Sequence, residues 1–249
     1  MDLNLTGRRV LVTGGASGMG AALVKILVGE GARVALNYRS RADEARELAG
    51  SLDGDVYPIH ADLADRAQVQ NLFTEAVRVM GGVDVLVNNA GLWETVEVGE
   101  VTDDVWDRSM QVNLTAPMFL SQELIKHCVG EGRPGRILNI TSQAAFRGSS
   151  TGHVPYAAAK GGMVTMTRSL AREMGPNGIT VNCLAIGTME SPMIADALEE
   201  KREFYEARIP IGYVAKAEQV ASVAAFLVSD QASYMTGATV DVSGGQLLH

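Results

Sequence analysis

The sequence predicts an α/β sandwich: a doubly wound, mostly parallel sheet of seven strands with helices on both faces. Three observations carry that expectation. Short β-branched runs alternate with longer stretches of helical periodicity, which is the pattern of βαβ units. The first run leads straight into a glycine-rich turn, Thr13 to Gly20, that opens a helix. The chain has 249 residues, 47% of them hydrophobic, and no linker, repeat or low-complexity stretch. That is enough apolar material for one sizeable core, so residues 1–249 are read as a single domain.

Each element follows from its residues. Val10 to Val12 reads as a buried strand and Ala21 to Val28 as a helix closed by Gly29 and Gly31. Val34 to Leu36 is the second strand, and Ala42 to Ala49 is a helix rich in Ala, Glu, Arg and Leu. Val56 to Ile59 is the third strand. Pro58 has no amide to give a central ladder, so this strand belongs at a sheet edge. Gln68 to Val79 reads as a helix and Val83 to Val87 as a strand. Val105 to Gln111 and Pro117 to His127 look helical, with a break near Asn113. Then come strand Arg136 to Ile140, helix Ala157 to Glu173, strand Thr180 to Leu184, helix Ala217 to Val228 and strand Thr239 to Val242. Right-handed crossovers place helices on both faces, and such sheets bind ligands at the carboxyl ends of their strands.

Composition narrows the function. The net charge is −8 with both signs scattered, which argues against a nucleic-acid surface. Met1 to Gly7 lacks the pattern of a signal peptide, and no apolar run approaches the roughly 20 residues that span a bilayer. A cytoplasmic protein without nucleic-acid or membrane partners is expected. Cys128 and Cys183 are far apart in apolar contexts, and two buried thiols is the reading adopted over a disulfide or metal site. The histidines are dispersed, so no zinc constellation is visible.

The chemistry-bearing residues gather at the strand ends. In TGGASGMG, Gly14 allows a tight turn, and Gly18 and Gly20 let backbone approach a ligand. The helix behind them offers unpaired N–H groups to a pyrophosphate. Asn88-Asn89-Ala90-Gly91 ends the fourth strand, where a turn or a ribose contact would sit. Asp62 is open between a helix-terminal acid beside Asp65 and a contact to adenine. Tyr156 and Lys160 are four apart on a helix and so share a face. An adjacent ammonium favours phenolate, which makes the pair a plausible proton donor. Ser142 lies at the same sheet edge, where its hydroxyl can hold a substrate oxygen. Asn113 offers a carbonyl for a water near Lys160.

Together these motifs resemble the single-domain short-chain dehydrogenase/reductase family, whose members include 3-oxoacyl-carrier-protein reductases and carbonyl reductases. TGGASGMG matches the TGxxxGxG turn, NNAG at 88–91 matches directly, and Asn113, Ser142, Tyr156 and Lys160 match the catalytic tetrad in identity and order. The resemblance implies a Rossmann-type, dinucleotide-binding catalytic domain. It makes Tyr156 the acid or base, Ser142 the carbonyl-orienting group, Lys160 the ribose-binding group that tunes Tyr156, and Asn113 the support of a water relay. The expected cofactor contacts are Gly14, Ser17, Gly18, Met19, Gly20, Arg39, Ser40, Asp62, Leu63, Asn89, Ala90, Gly91, Tyr156, Lys160, Gly187, Met189 and Ser191. One departure stands out: Ile186 replaces the usual proline, and Ser191 the usual threonine.

Cofactor choice and substrate go beyond the shared motifs. The second strand ends Leu36-Asn37-Tyr38-Arg39-Ser40-Arg41 without a carboxylate before Asp43. An acid there would bind a ribose 2′-OH of NAD(H) and repel a 2′-phosphate, whereas Arg39 binds one. NADP(H) is therefore expected over NAD(H). The predicted substrate walls are Leu92 to Thr95, Gln143 to Val154 and a lid near 189–213. Trp93, Phe146, Met189, Met193, Phe204 and Tyr205 would make them mainly apolar. Trp93, Gln143, His153 and Met193 are the candidate contacts, with His153 open between pocket lining and a solvent-facing loop. Reduction of a free ketone is preferred to the alternative, reduction of 3-oxoacyl groups on a carrier protein, because no dense basic patch is visible. A non-catalytic dinucleotide sensor would not need the tyrosine, and a nucleotide-sugar epimerase would need a larger substrate domain. The resemblance also implies a homotetramer, with Gly161-Gly162 permitting close helix approach.

Overall fold

A computed structural model of the chain describes residues 2–149 and 152–247; Ser150 and Thr151, inside the expected 143–154 wall, lie outside them. Strands β1 (Arg9–Val12), β2 (Arg33–Tyr38), β3 (Val56–His60), β4 (Val85–Asn88), β5 (Gly135–Ser142), β6 (Ile179–Ile186) and β7 (Thr239–Val242) form one sheet in the order β3-β2-β1-β4-β5-β6-β7. Every ladder is parallel. β3 is an edge strand, the position that Pro58 demands. The order reverses between β1 and β4, which opens a crevice at their carboxyl ends.

The connecting helices are α1 (Gly18–Gly29), α2 (Ala42–Ser51), α3 (Arg66–Met80), α4 (Asp103–Met110), α5 (Ala116–Gly130), α6 (Ala144–Arg147), α7 (Val154–Met174), α8 (Ala195–Glu206) and α9 (Ala217–Leu227). Strand alternation divides the core into two layers. Val10, Val12, Val34, Leu36, Val85 and Val87 pack on one side against α1, α2 and α9 through Leu23, Leu27, Leu48 and Val220. Leu11, Ala35, Leu86, Ile137 and Val181 pack on the other against α3, α5 and α7 through Leu72, Leu124 and Leu170. Each such buried leucine contributes about 1.5–3 kcal/mol.

Several boundaries differ from expectation. β4 runs from Val85 to Asn88, two residues later than expected at its start, although the Asp84 amide already bonds the Arg9 carbonyl at 2.9 Å. β5 and β6 extend to Ser142 and Ile186 because they pair with each other along their whole length. Ile186 thus continues the strand in the proline's place, and Gly187 still bonds the Val242 carbonyl at 3.2 Å. The break near Asn113 is a π-helical turn, Gln111–Thr115, joining α4 to α5. The short α6 and α8, the latter kinked at Lys201, had no clear periodic signal. Gly162 serves this chain's own packing, because a Cβ there would lie 2.8 Å from Leu114, whereas one on Gly161 would make only an ordinary 3.6 Å contact with the Ala145 carbonyl.

At the amino edge of the sheet, Asp84 accepts from Arg9 Nε at 2.9 Å, Arg9 Nη2 at 2.7 Å and the Arg9 amide at 3.0 Å. Arg133 also pairs with it. Burial pushes the Asp84 carboxyl up, but the hydrogen bonds from Arg9 and Arg133 together outweigh it and hold the group well below the usual carboxylate range.

Candidate active site

The turn between β1 and α1 is locked to the end of β4. Thr13 Oγ1 accepts from the amides of Asn89 and Ala90, both at 3.0 Å. Asn89 Nδ2 donates to the Thr13 and Gly14 carbonyls at 2.8 and 3.1 Å. Gly14 has φ +63°, with Ala90 so near that a Cβ would stand 3.0 Å from its Cα. A Cβ on Gly20 would come within 2.2 Å of the Gly14 carbonyl oxygen. Gly20 is therefore required by the chain's own turn, and it also lines the neighbouring cleft. Gly18, at φ +53°, has no neighbour nearer than 3.6 Å to such a Cβ. Ser17 does not cap α1 with its side chain, and no acid occupies the helix's first turn. These N–H groups suit an anion.

A cleft of about 480 Å³ runs from this turn past Arg39, Ser40, Asp62 and Leu63 to Asn89, Gly91 and Tyr156, within the size range of ligand sites. Arg41 is paired with Glu44 at 3.0 Å, whereas Arg39 is exposed with no ion pair among the described residues. Asp62 does not cap α3; Asp65 does, accepting from Ala67 and Gln68. The Asp62 carboxylate instead accepts from the Ala64 amide at 2.9 Å and faces the cleft. The residues present fit an extended dinucleotide: donors at one end, a polar middle and a titratable wall at the other.

That wall is built by β5 and α7. Tyr156 and Lys160 share a face of α7, and Ser142 ends β5 opposite them. Burial raises the Tyr156 pKa, and its hydrogen bond with Ser142 only partly offsets this. The expected lowering by Lys160 is not the dominant effect, because the ammonium stands 5.8 Å from the ring centroid and donates to the Ile140 carbonyl at 2.7 Å. Burial pushes Lys160 itself down to about 8. Asn113 is fully buried in the π-turn. Its Oδ1 accepts from the Leu92 amide at 3.0 Å, and its Nδ2 donates to the Leu92 carbonyl at 2.9 Å. A Cβ on Gly91 would sit 3.3 Å from Asn113 Oδ1 and 3.9 Å from Lys160 Nζ. The four residues of the expected tetrad thus surround one corner.

A second cavity, about 750 Å³, opens on the other side of Tyr156. Trp93, Gln143, His153 and Met193 all line it, and so do Gly187, Met189 and Ser191. His153 is buried, which removes the solvent-facing reading. Its ring stacks on Trp93 at 4.2 Å, and Nδ1 lies 2.8 Å from the Glu94 carbonyl. A carbonyl only accepts, so Nδ1 carries the hydrogen and Nε2 is left as an acceptor. Phe146 and Phe204 are exposed and do not line the cavity. Phe204 packs instead under Arg208, 3.6 Å from its ring. The cavity is consequently more polar than expected, with Arg147, Arg208 and Gln246 in its wall.

Sequence reasoning passed over three supports. Asn37 is buried at the end of β2; its carbonyl accepts from Gly15 at 2.9 Å, and its Nδ2 donates to the Ala61 carbonyl at 3.0 Å. Asn139 links Asn88 to Thr167 through two 2.8 Å bonds inside the sheet. Gln246 holds Thr188 by the amide at 2.7 Å and the hydroxyl at 3.1 Å. A polar residue inside an otherwise apolar strand was the available signal for the two asparagines. Gln246, near the chain end, carried none.

Comparison with known proteins agrees with this geometry. A family model described as Enoyl-(Acyl carrier protein) reductase matches residues 14–246. Nodulation protein G of Rhizobium sp. (strain N33) is 39% identical over 97% of both chains. 3beta-hydroxysteroid dehydrogenase 1 of Eggerthella lenta is 38% identical over 99% of this chain and 96% of its own. Among solved structures, a short chain dehydrogenase from Burkholderia cenocepacia in complex with NADP superposes with a TM-score of 0.89 at 33% identity, covering 97% of this chain and 98% of that one. A 3-ketoacyl-(acyl-carrier-protein) reductase from Brucella melitensis complexed with NADH gives a TM-score of 0.91 at 32% identity, covering 98% of this chain and all of the other.

Proposed function

The chain belongs to the short-chain dehydrogenase/reductase family and is an oxidoreductase of the nicotinamide-dinucleotide type; from that premise we propose that it uses NADP(H) to reduce a ketone of a small molecule, or to oxidise the matching secondary alcohol. The observation that carries this reading is the position of Tyr156, which lines both the dinucleotide-sized cleft and the second cavity. The cleft residues would hold the dinucleotide, which when bound would supply the hydride for the carbonyl carbon. The chain's residues do the rest. Tyr156, kept a neutral phenol by burial, gives its proton to the carbonyl oxygen. Ser142 holds that oxygen in place. Lys160 would orient the ribose and restore the proton through a water that Asn113 supports.

The preference for NADP(H) rests on exposed Arg39 at the end of β2 and the absence of an acid there. A solvated surface arginine is the plain alternative, and the solved relatives include both an NADP and an NADH complex. The test compares kcat/KM for NADPH and NADH across a panel of ketones. The parent is expected to favour NADPH, and Arg39→Ala to lose about tenfold or more with NADPH alone. Equal or better use of NADH by the parent would overturn the preference.

The same panel decides the second reading, reduction of carrier-bound 3-oxoacyl groups, which the Brucella melitensis relative favours. We also place the chain in the cytoplasm as a homotetramer. The free thiols of Cys128 and Cys183 and the exposed apolar Trp106 and Val129 on α4 and α5 support these assignments.

A further inference from the structure

The second cavity has an electrostatic character that the family motifs do not specify. Among the described residues no aspartate or glutamate lines it, although the chain carries a net charge of −8. The nearby carboxylates are already engaged. Glu190 and Glu206 pair with Arg202 at 2.9 and 3.4 Å, and Glu94 pairs with Arg108 at 2.7 Å.

Two arginines in the wall stand apart from this pattern. Arginines elsewhere in the chain are largely committed to carboxylates, as Arg8, Arg9, Arg33, Arg133 and Arg136 show. Arg147 is instead anchored by neutral acceptors, donating through Nη1 to the Gln246 carbonyl at 2.7 Å and to Gln143 Oε1 at 3.5 Å. Those bonds fix the guanidinium without cancelling its charge. Arg208 lies against the Phe204 ring and has no ion pair among the described residues. Both are exposed, and the same cavity is lined by half-buried Ser142 and Tyr156.

We infer that the substrate is an anion, with a carboxylate or phosphate group at the end remote from its reacting carbonyl, and that Arg147 and Arg208 bind that group. This rests on the proposed ketone–alcohol chemistry at Tyr156 and names its substrate class. A guanidinium held by neutral partners keeps its remaining N–H donors for an acid, and such charge-assisted contacts are stronger than neutral ones. Such a site selects molecules whose charge and carbonyl sit at opposite ends. The anion has two chemical sources. It is either the substrate's own carboxylate, or the phosphate of a pantetheine arm that carries the substrate as a thioester.

The experiment uses matched pairs that differ in charge. One pair is 6-oxoheptanoate and methyl 6-oxoheptanoate, whose ketone and carboxyl group lie at opposite ends of the chain. The other is acetoacetyl-coenzyme A and acetoacetyl-N-acetylcysteamine, which lacks the phosphates. kcat/KM is measured for the parent, Arg147→Gln, Arg208→Gln and the double variant. Calorimetry of the same four compounds with dinucleotide-loaded enzyme reports binding whether or not turnover occurs. The parent should favour the charged member of one pair by about tenfold or more, chiefly through KM or Kd, and the favoured pair identifies the source. The double variant should lose that preference while handling the neutral member within a few-fold of the parent. Equal handling of charged and neutral members in both pairs overturns the inference, as does a preference that survives in the double variant. If no ketone or secondary alcohol drives dinucleotide turnover, the proposed chemistry fails, and the calorimetric comparison still decides the anion site.

Discussion

The two edges of the sheet treat buried charge in opposite ways. At the amino edge, Asp84 is surrounded by Arg9 and Arg133, and its lowered pKa records how fully the charge is matched. At the carboxyl edge, Lys160 is as deeply buried but has only the Ile140 carbonyl as a hydrogen-bond acceptor among the described residues, and burial lowers its pKa to about 8. Asp84 stands just before β4, and Lys160 lies on α7, from which its ammonium reaches the Ile140 carbonyl of β5. The difference shows where the fold is stabilised and where it bears an unfavourable arrangement. Matched charge closes the edge with no cleft. Unmatched charge stands at the edge where Tyr156, Ser142 and Asn113 converge, and it is ready to meet a polar ligand.

The sharpest way to break this comparison is Tyr156→Phe. Removing one phenolic oxygen should lower turnover by about 10³-fold and leave cofactor binding and the thermal midpoint nearly unchanged. Retained turnover would show that the proton comes from elsewhere.

Next in size is Asp84→Asn at the opposite edge. It leaves two arginines without their carboxylate and should cost about 3 kcal/mol of stability, read by urea unfolding. Turnover per folded molecule should be unaffected. The native Asp84 pKa lies below its unfolded value, so this stabilisation is fully present above about pH 4 and is lost as pH falls further. A variant as stable as the parent would refute the stabilising role of the cluster.

The smallest expected effect is on stability in Lys160→Met, which should also abolish most turnover. The native Lys160 pKa, about 8, lies below the unfolded value of about 10.4. Between those values the unfolded chain binds more protons, so this group's contribution to stability rises with pH. Its cost is fully present at pH 7. The variant should therefore exceed the parent by about 1–2 kcal/mol at pH 7, and the gap should narrow by pH 10. The gap between the two proteins is the measurement, because Cys128 and Cys183, both raised to about 11 by burial, titrate in the opposite sense in both. A gap that does not change with pH would rule out an ionised Lys160 as its source.

Much of the architecture is legible in the sequence because it depends on local rules. Period and turn chemistry place the strands, the glycine turn and the edge position of β3, all within a few residues of one another. The spacing of Tyr156 and Lys160 puts them on one helix face without any tertiary information. What only the tertiary structure decided joins residues distant in the chain. Gly20 is constrained by the Gly14 carbonyl and by Asn89, and His153 is buried because Trp93 covers it. Arg147 and Arg208 share a cavity only because α6 and the segment after α8 meet beside Gln246. No periodicity encodes such meetings: sheet register and helix packing set them, and these depend on the whole core at once.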